Sequence, residues 1–142
     1  MNRYFRYNNI SLALLLLFIF IGCKKDRDEV PNVYVDIYLY STDPDFLQLN
    51  AIGGWIYISG GSKGIIVFRK SQTEFMAYDR HCTYKTSDAN QVAIDASNLI
   101  ATDAVCGSKF LITDGSANQG PATIPLKYYQ VIFDGTVLHI FN

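Results

Sequence analysis

The sequence has little charge and no surplus of either sign. Only 18% of its 142 residues are charged, and 12 basic against 13 acidic side chains leave a formal net charge of −1. A nucleic-acid binder needs a basic excess to neutralise phosphates, so that class is excluded. Histidine is scarce, with two residues, and cysteine numbers three. No phosphate loop, zinc-binding spacing or serine triad is present. No segment carries helical periodicity, and no apolar run reaches the roughly 20 residues that cross a bilayer as a helix. The length excludes a multi-domain enzyme. What is abundant is apolar and aromatic side chain, 49% and 14% of the chain, which excludes a disordered polypeptide.

The N-terminus reads as an address. Arg3 and Arg6 precede Ile10 to Ile21, an uncharged run of twelve residues that suits a secretory signal rather than a membrane-spanning helix. The run ends in Phe20-Ile21-Gly22-Cys23, which resembles a bacterial lipobox, although leucine is commoner where Phe20 stands. The resemblance implies cleavage before Cys23, acylation of its thiol and tethering to the bacterial cell envelope, with the outer membrane as the expected site. Residues 1–22 are thus expected to be the signal peptide. Their removal leaves 120 residues with a formal charge of −3. Residues 23–32 begin Cys23-Lys24-Lys25-Asp26-Arg27-Asp28-Glu29, which offers no apolar side chain to bury and is expected to be a solvated tether. Lysine followed by acids resembles the segment after the lipidated cysteine in surface-exported lipoproteins of Bacteroidetes-like bacteria.

Beyond residue 32 the pattern turns to β. Val33, Val35, Ile37 and Leu39 share one face of an alternating segment, with Tyr34, Asp36 and Tyr38 on the other. Trp55 to Ile58 and Ile65 to Phe68 are β-branched and aromatic runs joined by the glycine-rich Ser59 to Gly64, which predicts a hairpin. Glu74 to Tyr78 reads as the next strand. Tyr129 to Phe133 and Thr136 to Phe141 flank Asp134-Gly135, a dipeptide suited to a primed turn. Short strands at this spacing predict an all-β domain over residues 33–142, a small antiparallel barrel or sandwich.

Two loops between these hairpins carry a family resemblance. Cys82-Thr83-Tyr84, then Cys106-Gly107-Ser108-Lys109-Phe110, Asp114-Gly115, Gly120-Pro121-Ala122, Pro125-Leu126 and a late tyrosine-containing strand resemble the two ligand loops and second half of Rieske-type [2Fe-2S] domains. The resemblance covers roughly residues 33–142. It implies an antiparallel β fold in which two loops clamp a cluster. Rieske clusters take two cysteines and two histidines, as C-x-H from one loop and C-x-x-H from the other. Here Cys82 matches the first cysteine, but Tyr84 stands at its histidine. In the second loop, either Cys106 is the cysteine and Lys109 the histidine position, or the G-S-x-F run sets the register. The latter uses more matched residues and puts Asp103 at the cysteine and Cys106 at the histidine position. The implied degenerate positions are then Cys82, Tyr84, Asp103 and Cys106, with no histidine.

The expected function is a lipid-anchored Rieske-like domain that has lost its cluster and serves as a binding or structural accessory, with no cofactor and no enzymatic activity. The alternative is a [2Fe-2S] electron-transfer protein with non-standard ligands. Its expected partner is the membrane, through the anchor; nothing in the sequence names a protein partner. After acylation of Cys23, only Cys82 and Cys106 remain as thiols in an exported chain. The resemblance places them on facing loops, which implies a disulfide. His81 is expected to be a polar loop residue, His139 a partly buried strand residue, and Asp114 and Asp134 turn residues.

Overall fold

The run Ile65 to Phe68 is apolar without interruption, and a strand of that kind has both faces covered. In the structure, a computed structural model that describes residues 28–142, it is β3 (Ile65–Arg69) and all four side chains are buried. Because side chains alternate, Ile65 and Val67 enter one core while Ile66 and Phe68 enter another. Its neighbour β4 (Phe75–Asp79) divides likewise, Phe75 and Ala77 facing the first core and Tyr78 the second. Each such aliphatic or aromatic side chain, fully buried, contributes about 1.5–3 kcal/mol.

The first core fills a curled six-stranded antiparallel sheet. Its remaining strands are β1 (Asp36–Tyr40), β2 (Trp55–Ile58), β9 (Tyr128–Phe133) and β10 (Val137–Phe141), in the order β1-β10-β9-β4-β3-β2. A 3₁₀ segment, Pro44–Asn50, plugs it with Phe46 and Leu49. The second core lies under a four-stranded antiparallel sheet, β5 (Val92–Ile94), β6 (Ile100–Asp103), β7 (Lys109–Leu111) and β8 (Ala117–Gln119), in chain order. The predicted hairpins are therefore present, and the all-β antiparallel expectation holds. The sequence pattern did not resolve the second sheet, because three of its four strands have only three residues.

Two details differ from expectation. The first strand begins at Asp36, not Val33: Val33 is 38% exposed, and Val35 instead exchanges hydrogen bonds with Asn142, whose side chain accepts from Val35 N at 3.0 Å. The last residues of the expected tether also lie along the domain. Asp28 accepts from Thr86 N at 2.7 Å and from the Thr86 hydroxyl, while Lys127 Nζ donates to Pro31 O and Asn32 Oδ1. The expected signal peptide, Cys23 and residues 24–27 of the expected tether lie outside the described residues. Among the described residues no helix is long and apolar enough to cross a membrane.

Candidate functional site

Two loops emerge where the sheets meet. The first, after β4, carries Cys82 and Tyr84; the second joins β6 to β7 and carries Asp103 and Cys106. A third segment ties them together: the Thr83 hydroxyl donates to Ile124 O at 2.6 Å, and Ala122 N donates to Ser108 Oγ at 2.9 Å.

The second loop folds around its own aspartate. Asp103 Oδ1 accepts from Val105 N at 2.7 Å and Cys106 N at 3.2 Å, while Gly107 N donates back to Asp103 O at 2.9 Å. Gly107 closes the turn at φ +77°, a conformation that costs glycine nothing. The result aims Asp103 Oδ2 at the loop's own thiol, 3.1 Å from Cys106 Sγ, and Cys106 Sγ also lies 3.0 Å from Ser108 Oγ. Cys82 and Asp103 are fully buried and Cys106 is half-buried. The ligand atoms of Cys82, Asp103 and Cys106 all lie within 4.8 Å of one another.

The expected disulfide is not formed. The two sulfurs are 3.8 Å apart, and both cysteines are free thiols. A bond would need about 2.05 Å, and Cys106 is drawn instead to Asp103 and Ser108. Burial, with the Asp103 carboxylate alongside, pushes the Cys82 thiol up to about 12. For Asp103, burial acts to raise the pKa. Hydrogen bonds from Cys82, Cys106 and the backbone N–H groups of Val105 and Cys106 outweigh it and hold the carboxyl below the usual range.

Of the four degenerate positions the structure thus brings three into contact. Tyr84 is half-buried against the second core, beneath Lys85, whose Nζ sits 5.5 Å from the ring centre. Lys109, the other candidate for a histidine position, is in β7, opposite Thr102 and Gln119.

Both histidines are engaged elsewhere. His81, expected as a polar loop residue, is 2% exposed. The Thr86 carbonyl, an acceptor only, fixes hydrogen on Nε2 at 2.9 Å, and Nδ1 faces the Ser62 hydroxyl at 2.8 Å. His139 pairs with Asp36 at 2.7 Å between the rings of Tyr38 and Phe141.

The sequence reading missed a second polar centre beneath the first loop. Asp79, fully buried, accepts from Ser62 N at 2.6 Å, Lys63 N at 3.2 Å, His81 N at 2.8 Å and the Tyr129 hydroxyl at 2.7 Å. Gly61, at φ +61°, passes so close that a Cβ there would fall 2.5 Å from both Asp79 Oδ2 and the Tyr129 hydroxyl. Ser62 and His81 are 19 positions apart, and no local signal links them. Ser108 was legible only as part of the G-S-x-F run.

Comparison with known proteins finds no match at the sequence level, either to a family model or to a curated protein. The fold does have relatives. The cyanobacterial plasma membrane Rieske protein PetC3 from Synechocystis PCC 6803 superposes with a TM-score of 0.56 at 18% identity, over 73% of this chain and 99% of that one. The domain has a Rieske-like fold. The ferredoxin of carbazole 1,9a-dioxygenase from Nocardioides aromaticivorans IC177 is similar at a TM-score of 0.46 and 17% identity, over 64% of this chain and 86% of that one.

A Rieske cluster does not fit the residues this Rieske-like domain presents. The cluster needs two imidazole donors on one of its irons. Neither histidine belongs to the group of converging donors, which consists of two thiols and one carboxylate.

Proposed function

We propose that this chain is an envelope lipoprotein, anchored through Cys23, whose Rieske-like domain works without a Rieske cluster as a binding or structural accessory. The observation that carries this reading is the donor set. Cys82, Asp103 and Cys106 converge, Tyr84 packs beside them, and the imidazoles of His81 and His139 are held by Ser62, Thr86 and Asp36.

The test is elemental analysis of the protein purified without air. The reading expects no stoichiometric iron, no acid-labile sulfide and no paramagnetic signal on reduction. Two irons per chain with a reduced-state resonance would establish the electron-transfer alternative instead. For the anchor, Cys23→Ser is expected to abolish palmitate incorporation and move the protein to the soluble fraction. A wild-type protein that is already soluble, with its mature N-terminus elsewhere, would sink that part.

A further inference from the structure

Buried carboxylates are ordinarily paired with a cation. Asp103 is fully buried, yet among the described residues neither ion pair involves it: they join Lys70 to Glu74 and His139 to Asp36. Its partners are two thiols and two backbone N–H groups, and the thiols come from different loops.

The spacing of those thiols is informative. At 3.8 Å the sulfurs are far beyond bonding distance, but a tetrahedral centre with Zn–S bonds of about 2.3 Å holds its two sulfurs about 3.8 Å apart. The carboxylate completes one face, with Asp103 Oδ2 3.1 Å from Cys106 Sγ. The surroundings orient these atoms as the outer contacts of a metal site do. Oδ1 is occupied by Val105 N and Cys106 N, which leaves Oδ2 to the thiols. Ser108 Oγ, fixed by Ala122 N, accepts from the Cys106 thiol at 3.0 Å and so helps to position its sulfur.

We propose that Cys82, Asp103 and Cys106 form a mononuclear site for a thiophilic divalent cation, zinc foremost, with water in the fourth position. This rests on the reading that the domain holds no Rieske cluster. Two thiolates select zinc over magnesium or calcium, which prefer all-oxygen sites. Binding replaces two S–H bonds by two S–Zn bonds and releases both protons to solvent, with no change of oxidation state. The resemblance of loop order marked these three positions, but only the fold shows that their donor atoms converge on one point while Tyr84 stays outside the group.

The experiment uses the full mature lipoprotein in detergent, reduced and stripped with a chelator, with cobalt(II) as the probe. One cobalt per chain is expected, with thiolate-to-cobalt absorption in the near ultraviolet and the visible bands of a tetrahedral centre. One equivalent of zinc should bleach both, and calorimetry in buffers of different ionisation enthalpy should count two protons released. Cys106→Ser and Asp103→Asn are each expected to weaken zinc binding at least about 100-fold, and Ser108→Ala about 10-fold, the scale of outer-contact losses. Circular dichroism confirms that each variant is folded. Iron-free, folded wild-type protein that develops no thiolate-to-cobalt bands overturns this proposal alone. Two irons per chain with labile sulfide overturns the cluster-free reading on which it rests.

Discussion

Two buried aspartates organise the junction between the sheets, and their surroundings differ in kind. Asp79 is surrounded by hard donors, three backbone N–H groups and a phenol, and sits below a glycine that could be nothing larger. Asp103 faces two thiols and the N–H groups of an exposed turn. Thiols are weak donors, so Asp103 is held less firmly and its donors can exchange a proton for a metal. The same residue type is therefore a fixed strut at one position and a ligand at the other. What distinguishes them is the chemistry of their donors, not their burial, since both are fully covered.

The sharpest way to break the comparison is Asp79→Ala. It strips the acceptor from Ser62 N, Lys63 N, His81 N and the Tyr129 hydroxyl, and leaves several of these groups buried without a partner. A loss of about 3–4 kcal/mol is expected, read as a fall in the urea midpoint with the slope unchanged. Asp103→Ala in metal-free protein should cost less, about 1–2 kcal/mol, because Val105 N turns to water and the thiols tolerate lost contacts. Equal losses at the two positions would erase the distinction.

Titration tests the Asp103 side from both ends of the pH scale. The carboxyl's folded-state pKa is depressed, so its contribution is present above the unfolded value near 4 and is lost as pH falls through the folded value. The Cys82 thiol moves the other way. Raised to about 12, it remains protonated in the folded state while the unfolded chain ionises from about 9, so stability declines between roughly pH 9 and 12. Tyr78 and Tyr129, whose burial also raises them, act in the same direction. Denaturation midpoints measured across pH should flatten at the acid end in Asp103→Asn. In Cys82→Ala the alkaline decline should be shallower.

The smallest effect is expected from Asp28→Ala, which frees Thr86 N at the start of the short 3₁₀ turn Thr86–Asp88. Amide exchange at Thr86 should quicken while the global melting temperature stays put. A drop in the melting temperature would mean that the segment around Asp28 is part of the fold.

The legibility of this protein in its sequence follows its physics. Alternation and continuous apolar runs marked β2, β3, β4, β9 and β10, because burial on one or both faces leaves a periodic trace. The strands β5, β7 and β8 are three residues each, too short for any period to emerge. Cys82, Tyr84, Asp103 and Cys106 were found through a resemblance of loop order, whereas Ser62, Asp79 and Tyr129 were missed because polar residues that satisfy one another carry no spacing. The expected disulfide rested on the parity of the thiols and on that resemblance, and neither registers whether Asp103 and Ser108 hold the Cys106 sulfur apart from its partner.

By itself, then, the sequence determined the class of fold, the hairpins and the absence of histidine at the loop positions, since these depend on residue type and local period. Only the tertiary structure decided that Asp103 would meet two thiols at tetrahedral spacing and Asp79 a ring of N–H groups. Which donors surround a buried carboxylate depends on chain segments 16 to 50 positions away in the case of Asp79, and on a cysteine from the other loop in the case of Asp103. Those neighbours are brought in by the packing of two sheets against one shared pair of strands, and no local stretch of sequence records it.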